Sequence, residues 1–412
     1  MKRIFFYLII TLASIYNSYS QNYAECMQQG KYYFNKQDYI SALERFDLAY
    51  ESAENEIRKK DAQNWKNNSF KHLKTQQKKL EQELKSNTDA LKDAQKLVNA
   101  FYFYDGKIAL AYNNGKYGYI NKNGALIIPY KYKKATHFEE STGFASAERD
   151  GQHYLIDTTG REYLLANNSQ SLNGAVEALD LRNQHLSELP KYVFNYVKLK
   201  VLLISGNNLT LVPNELINLK ELTHLDASNN KIQTLPSKIG GLLNLTKLSL
   251  RNNFITELPE DIVFVKRLTK LDLTNNKLYS LPNNMGSLYY LNELQLDGNN
   301  IKSLPSDLGQ LRSLKTLSLR NNSLEKIPTG LSSLYRLENL YLDQNEIKDL
   351  PSEISRLSEL RNLYLSRNRL GYLPIEIKQL TSLEHLDLQG NLFSDTKKNL
   401  IENWLPNCTI QY

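Results

Sequence analysis

The chain has 412 residues, too many for one ordinary core, so two or three folded units are expected. Its 41% hydrophobic and 23% charged residues are ordinary for a globular chain, although 27 Tyr against 2 Trp is unusual. The formal charge of +7 is spread along the whole length rather than clustered, which argues against a nucleic-acid surface.

Residues 1–20 read as a signal peptide. Lys2 and Arg3 precede an apolar run from Ile4 to Ile15, and Ser18-Tyr19-Ser20 puts small residues before a cut ahead of Gln21. That run is too short to span a bilayer, and no later stretch is apolar enough to do so. An uncleaved anchor is the alternative. Export to the periplasm, surface or exterior of a Gram-negative bacterium is the expectation. Cys26 and Cys408 lie near opposite ends of an elongated chain, and a bridge needs Cα atoms within about 7 Å, so both are expected as free thiols.

Residues 21–100 have a helical pattern. In "GKYYFNKQDYISALERFDLAYESA", Gly30 and Tyr33 fall in a first helix, with Ala42, Phe46 and Ala49 on one face of a second. The stretch resembles one tetratricopeptide repeat; a plain helical hairpin is the other reading. From Ile57 to Val98, Phe70, Leu73, Leu80, Leu84, Leu91, Ala94 and Val98 form a heptad-like stripe. It either packs on the hairpin or pairs with a second chain, which leaves monomer and dimer open.

At Phe101 the period changes to two. "GKIALAYNNGKYGYINKNGALIIP" reads as short strands joined by tight turns, and Ala109, Ala111, Gly115, Ile120 and Gly124 recur 36 residues later as Ala145, Ala147, Gly151, Ile156 and Gly160. Residues 101–166 resemble a pair of WG-type β-repeats. Tyr117-Gly118 stands for the family's Trp-Gly, and His153-Tyr154 loses the Gly, so the second copy is degenerate. Residues 167–175 are a polar linker.

The longest segment, 176–395, starts a fresh pattern at Val176, Leu199, Leu222, Leu245, Leu268, Leu291, Leu314, Leu337, Leu360 and Leu383, always 23 residues apart. In "LENLYLDQNEIKDLPSEISRLSE", Leu340 and Leu342 share one face of a short strand, and Leu337, Ile347, Leu350, Ile354 and Leu357 fill the rest of the interior. Asn345 leaves the strand where backbone groups still need partners; its amide can bond its own and the next repeat's backbone. Asn207, Asn230, Asn253, Asn276, Asn299, Asn322, Asn368 and Asn391 are equivalent, whereas the first repeat has Gln184. Pro351 suits an irregular convex segment. The ten copies resemble Pro-containing leucine-rich repeats of the bacterial secreted type. In the cap, 396–412, Trp404, Leu405, Cys408 and Ile410 are expected to cover the last core layer, with Cys408 a buried thiol. The resemblances imply an α/β solenoid, a leucine-rich repeat horseshoe with a parallel concave sheet, preceded by an α-helical segment and a small antiparallel β segment.

Side chains between the strand leucines are expected to point out of the concave face. Tyr341 and Tyr364, neighbours at the repeat distance, form a candidate partner-binding patch with Arg320, Asp343, Asn339, Asn362 and His385. His224, Asp226, Lys247, Arg251, Lys270 and Asp272 form a secondary, mixed-charge patch. Phe254 is expected as a partly buried staple. His72, His137, His153, His185, His224 and His385 are dispersed, so no metal site is expected, and no catalytic motif or cofactor loop stands out. The resulting expectation is a non-catalytic module that binds a protein partner, with a structural or adhesive envelope role, open to glycan contact, as the alternative.

Overall fold

A computed structural model of the chain describes residues 23–36, 38, 41–42, 45–46, 49, 56–84, 103–105, 107–121, 125–166 and 176–412. The signal-peptide and linker assignments fall outside the described residues. The chain divides into two compact units, 1–162 and 163–412.

In the first unit, helices α1 (Tyr23–Asn35) and α2 (Glu56–Leu84) enclose a small core. Cys26, Met27, Ala42, Phe46, Ala49 and Ala62 are buried in it, and Trp65 stacks on Phe46 at 5.6 Å. Gly30 has a steric reason: a Cβ there would lie 2.5 Å from the Phe46 ring. Phe70, Leu73, Leu80 and Leu84 lie on helical backbone, while their side chains, and Leu91, Ala94 and Val98, fall outside the described residues.

The β segment of this unit has an antiparallel sheet of order β1 (Phe103–Tyr104), β2 (Ile108–Asn113), β3 (Lys116–Asn121), β4 (Leu126–Tyr132). A second antiparallel set follows, β5 (Lys134–Ala135), β6 (Phe144–Arg149) and β7 (Gln152–Asp157). Asn114-Gly115 and Asp150-Gly151 turn the two equivalent hairpins with φ of 47° and 80°, and 52° and 75°, the paired left-handed residues that match strand twist. Tyr119, Ile128, Tyr132, Phe138, Ala145 and Ile156 share one core.

The second unit is a parallel solenoid. Its sheet begins with residues 163–166 of β8 (Glu162–Ala166), whose Leu165 and Ala166 pair with β9 (Ala178–Asp180). It continues through β10 (Val201–Leu203), β11 (His224–Asp226), β12 (Lys247–Ser249), β13 (Lys270–Asp272) and β14 (Glu293–Gln295). Then come β15 (Thr316–Ser318), β16 (Asn339–Tyr341), β17 (Asn362–Tyr364), β18 (His385–Asp387) and β19 (Thr409–Gln411). From β9 to β18 every pair is in register at the 23-residue repeat. Leu340, Leu342, Leu337, Ile347 and Leu357 are fully buried, and burying each is worth on the order of 1.5–3 kcal/mol. Pro351, at φ −66°, opens the one-turn 3-10 segment Ser352–Arg356, as Pro305, Pro328 and Pro374 do in their repeats.

The asparagine ladder runs backwards from the expectation. Asn345 Nδ2 donates to Leu342 O of its own repeat and to Leu319 O of the preceding one, and its Oδ1 accepts from Leu324 N–H, also in the preceding repeat. The N–H at that position of each repeat points along the stack toward the following copy, so the following Asn serves it: Asn368 Oδ1 accepts from Ile347 N–H. The first repeat has no earlier copy to serve, which explains why the exposed Gln184 suffices.

Helix α3 (Asp395–Trp404) and β19 close the far end, with Ile401 and Leu405 buried. Trp404, Cys408 and Ile410 are only partly buried. Cys408 is therefore not the buried thiol expected but half-exposed. Neither it nor Cys26 is in a disulfide among the described residues. Phe254 is also more open than expected, 41% exposed with Lys277 Nζ 4.8 Å over its ring.

Candidate partner-binding face

Strand register places Tyr341 directly beside Tyr364. Their rings stack 4.9 Å apart at 13°, each half-buried, and the Arg320 guanidinium lies over them, 4.1 Å from the Tyr341 centroid and 5.5 Å from that of Tyr364. Arg320 is fixed at both ends. Its N–H donates to Asp297 Oδ1 at 2.8 Å and its Nε to Asp343 Oδ2 at 3.0 Å. The result is a preorganised aromatic-cation platform, the kind of group that anchors interfaces at low ordering cost. Burial, then the neighbouring Tyr364, raises the Tyr341 phenol above its ordinary range, so it is a neutral donor at physiological pH.

Beside the platform, Asn362 Nδ2 donates to Asn339 Oδ1 at 2.7 Å, and exposed His385 is paired in register with Asn362. Asp343 differs from its expected part. It is 8% exposed, and besides Arg320 it accepts from Ser366 N–H at 3.1 Å and Ser366 Oγ at 2.9 Å. Its carboxylate orients the platform instead of facing a partner.

The same chemistry takes apart the secondary patch. Asp226 and Asp272 are buried and accept from the N–H groups of Ser228 at 3.1 Å and Thr274 at 2.9 Å. Each strand is only three residues long, so the N–H two positions on needs a local acceptor, and a short Asp supplies it. Burial raises the Asp226 carboxyl above the usual carboxylate range. Lys270 pairs with Glu293 at 3.0 Å, outside the patch. His224 Nδ1 meets Thr223 Oγ1 at 2.8 Å, and Lys247 and Arg251 are exposed. Two carboxylates expected on the surface are thus structural.

One column escaped sequence reasoning. The residue before each ladder Asn has positive φ: Asn229, Asn252, Asn275 and Asn321 between 51° and 54°, and Gly206, Gly298 and Gly390 between 64° and 70°. The recurring Asn-Asn pairs were its signal, since Asn and Gly tolerate that region best. Gln344 (φ 56°) and Arg367 (φ 53°) are the exceptions, both exposed, and both belong to the repeats that carry the tyrosine pair. A left-handed backbone at Gln and Arg is less readily adopted than at Asn or Gly, so these two repeats depart from the column's pattern.

Among the described residues, no three His, Cys, Asp or Glu side chains are grouped to hold a metal ion, and no helix is long and apolar enough to cross a membrane.

Leucine-rich repeat family models match residues 303–405 (a leucine-rich repeat region), 175–232, 220–263 and 267–288, and the WG containing repeat matches 117–152. No curated protein matches the chain. Among solved structures, a TDR receptor is similar at 28% identity and TM-score 0.52, over 58% of this chain and 43% of that one. The plant peptide hormone receptor RGFR1, in complex with RGF2, is similar at 26% and 0.50, over 58% and 45%. A leucine-rich repeat protein of Leptospira interrogans shares 28% identity over 60% of this chain and 88% of its own, at a TM-score of 0.30. The chain spans less than half of either receptor. With the repeat register, the asparagine ladder and these matches together, the chain is a leucine-rich repeat protein that carries WG-type repeats ahead of its solenoid.

Proposed function

We propose that this chain is an exported, non-catalytic interaction module that binds a protein partner on the concave face, centred on Tyr341 and Tyr364. The observation that carries the reading is the stacked pair under Arg320, held by Asp297 and Asp343. Tyr and Arg are the residue types on which interface energy concentrates, and a long parallel face suits an extended partner. The fold shared with a peptide hormone receptor supports the same class of ligand. Asn339, Asn362, His385, Gln344 and Arg367 supply the polar rim. In the secondary patch, the exposed charged side chains are Lys247 and Arg251.

The test is photo-cross-linking from position 364 in the native cells to identify the partner, followed by affinity measurement with the purified proteins. Tyr341→Ala/Tyr364→Ala should weaken binding by about thirtyfold or more, as loss of a central anchor does. Unchanged affinity in the double variant sinks the assignment. Export is read from residues 1–20, and a mature N-terminus at Gln21 is the expected result of sequencing the exported protein. The helical segment is proposed as tetratricopeptide-like and as the place where any dimer would form, which sedimentation of the full chain reads directly.

A further inference from the structure

A second surface lies away from the concave strands, on the turn that leads from each 3-10 segment into the next strand. Its first column reads Lys220, Leu243, Lys266, Tyr289, Arg312, Tyr335 over successive repeats, an alternation of cation and apolar side chain, and all six are exposed. Tyr289, Tyr335 and Leu243 are each at least 46% exposed, as is Phe264 beside them. The column is ordered: Lys266 Nζ lies 5.7 Å over the Phe264 ring and 6.0 Å over that of Tyr289, and it donates to Ser287 O at 3.4 Å. Backbone bonds such as Thr246 N to Thr223 O and Asn292 N to Thr269 O, three residues past this column, hold the adjoining strand entries at the strand spacing of about 4.8 Å.

The charges here are handled unlike those next door. Three residues further on, Lys200, Lys315 and Arg361 each pair with a Glu of the neighbouring repeat. Lys266 and Arg312 have no ion pair among the described residues, and from Leu243 to Arg336 this column and the one after it contain no acid. Exposed rings beside uncompensated cations ask for a ligand that is flat, apolar on its faces and negatively charged at intervals.

We propose that this stripe binds an acidic polysaccharide in which uronic acid and neutral sugar rings alternate. A pyranose advances its chain by close to one strand spacing, so each repeat meets one ring. Carboxylates on every second ring then fall on Lys266 and Arg312, while the intervening rings lie against Tyr289 and Tyr335. An extended peptide puts same-face side chains about 6.6 Å apart and drifts out of step with the repeats. A nucleic acid carries a charge on every unit and would set every second phosphate against Leu243 or a tyrosine.

The site is independent of the tyrosine pair on the strands, so the two readings can fail separately. The experiment is calorimetric titration of the full chain with hyaluronan oligosaccharides, whose glucuronate and N-acetylglucosamine alternate, beside carboxyl-reduced hyaluronan, oligo(dT) and polyglutamate. Hyaluronan should bind, and binding should weaken with added salt. Tyr289→Ala/Tyr335→Ala and Lys266→Gln/Arg312→Gln should each weaken it about tenfold, as loss of stacking or charge contacts does. Tyr289→Phe/Tyr335→Phe should retain it, which separates stacking from any folding defect, and Tyr341→Ala/Tyr364→Ala should leave it unchanged. The proposal is overturned by absence of hyaluronan binding, by equal or tighter binding of the reduced polymer, oligo(dT) or polyglutamate, or by ring variants that bind like the unaltered chain.

Discussion

Each ladder asparagine answers a specific hydrogen-bond debt of the preceding repeat. Asn276 Nδ2 donates to Leu250 O and Leu273 O, both at 3.0 Å, and its Oδ1 accepts from Ile255 N–H at 3.0 Å, all buried. Asn276→Ala leaves these groups without partners, so urea unfolding should show a loss of about 3 kcal/mol, whereas Gln184→Ala should change stability by less than about 0.5 kcal/mol. Asp226 gives the opposite sign. Its folded-state pKa is raised by burial, so the stability it contributes is present below the usual carboxylate range and lost as pH rises through the folded value. Ionised Asp226 is thus a cost at neutral pH. Asp226→Asn keeps an acceptor for Ser228 N–H and should melt higher than the unaltered chain at pH 7, with the gap closing as pH falls into the carboxylate range. A lower melting temperature at pH 7 would contradict the burial argument. At this scale the sequence showed which face a residue takes, because alternation fixes that. It did not show which N–H groups the short strands leave unmet, and so Asp226, Asp272 and Asp343 read as surface charges when they are internal acceptors.

Close approach of backbones decides the next level. A Cβ on Gly118 would stand 2.6 Å from Ile128 O and 2.9 Å from Pro129 C, where the β3–β4 register shifts between Tyr117 and Tyr119. Gly118→Ala must therefore move the β4 backbone. Differential scanning calorimetry should show the β segment destabilised by about 2 kcal/mol or more, against about 1 kcal/mol for Gly115→Ala, which has open space and only its φ of 80° to pay for. The tyrosine in place of Gly at position 154 shows that the second copy meets a different local demand: Arg149 lies 5.1 Å over that ring. In the cap, burial pushes the Cys408 thiol up to about 11. The thiolate is the reactive form, so native Cys408 should alkylate on the order of a hundredfold more slowly than a free cysteine near pH 8. The hairpins were legible because Asn-Gly and Asp-Gly turns carry their own geometry. The half-exposure of Cys408 was not, since nothing in "LPNCTIQY" says which side of the cap faces the last repeat.

The 23-residue period made the solenoid legible, since one register repeated along the stack fixes every strand pair. Its two ends are where sequence reasoning thinned, because each is closed by residues outside the repeat. At the start, residues 163–166 add a strand and Ala166 enters the core, though the sequence grouped them with the β-repeats. At the far end β19 pairs with β18 through Leu388 N–H to Gln411 O and Thr409 N–H to Glu384 O, both at 2.8 Å. Ile401 and Leu405 cover the last layer, in which Leu383, Leu386 and Leu388 are buried. In a stack where each repeat contacts only its neighbours, loss of this cap should act locally. A chain ending at Phe393 should expose that apolar layer and an open strand edge, and so associate in sedimentation experiments. Hydrogen exchange should show protection lost over β17 and β18 while β11 to β13 keep theirs. Uniform loss of protection along the whole sheet would mean that the solenoid unfolds as one cooperative block, and the nearest-neighbour account of its stability would fail.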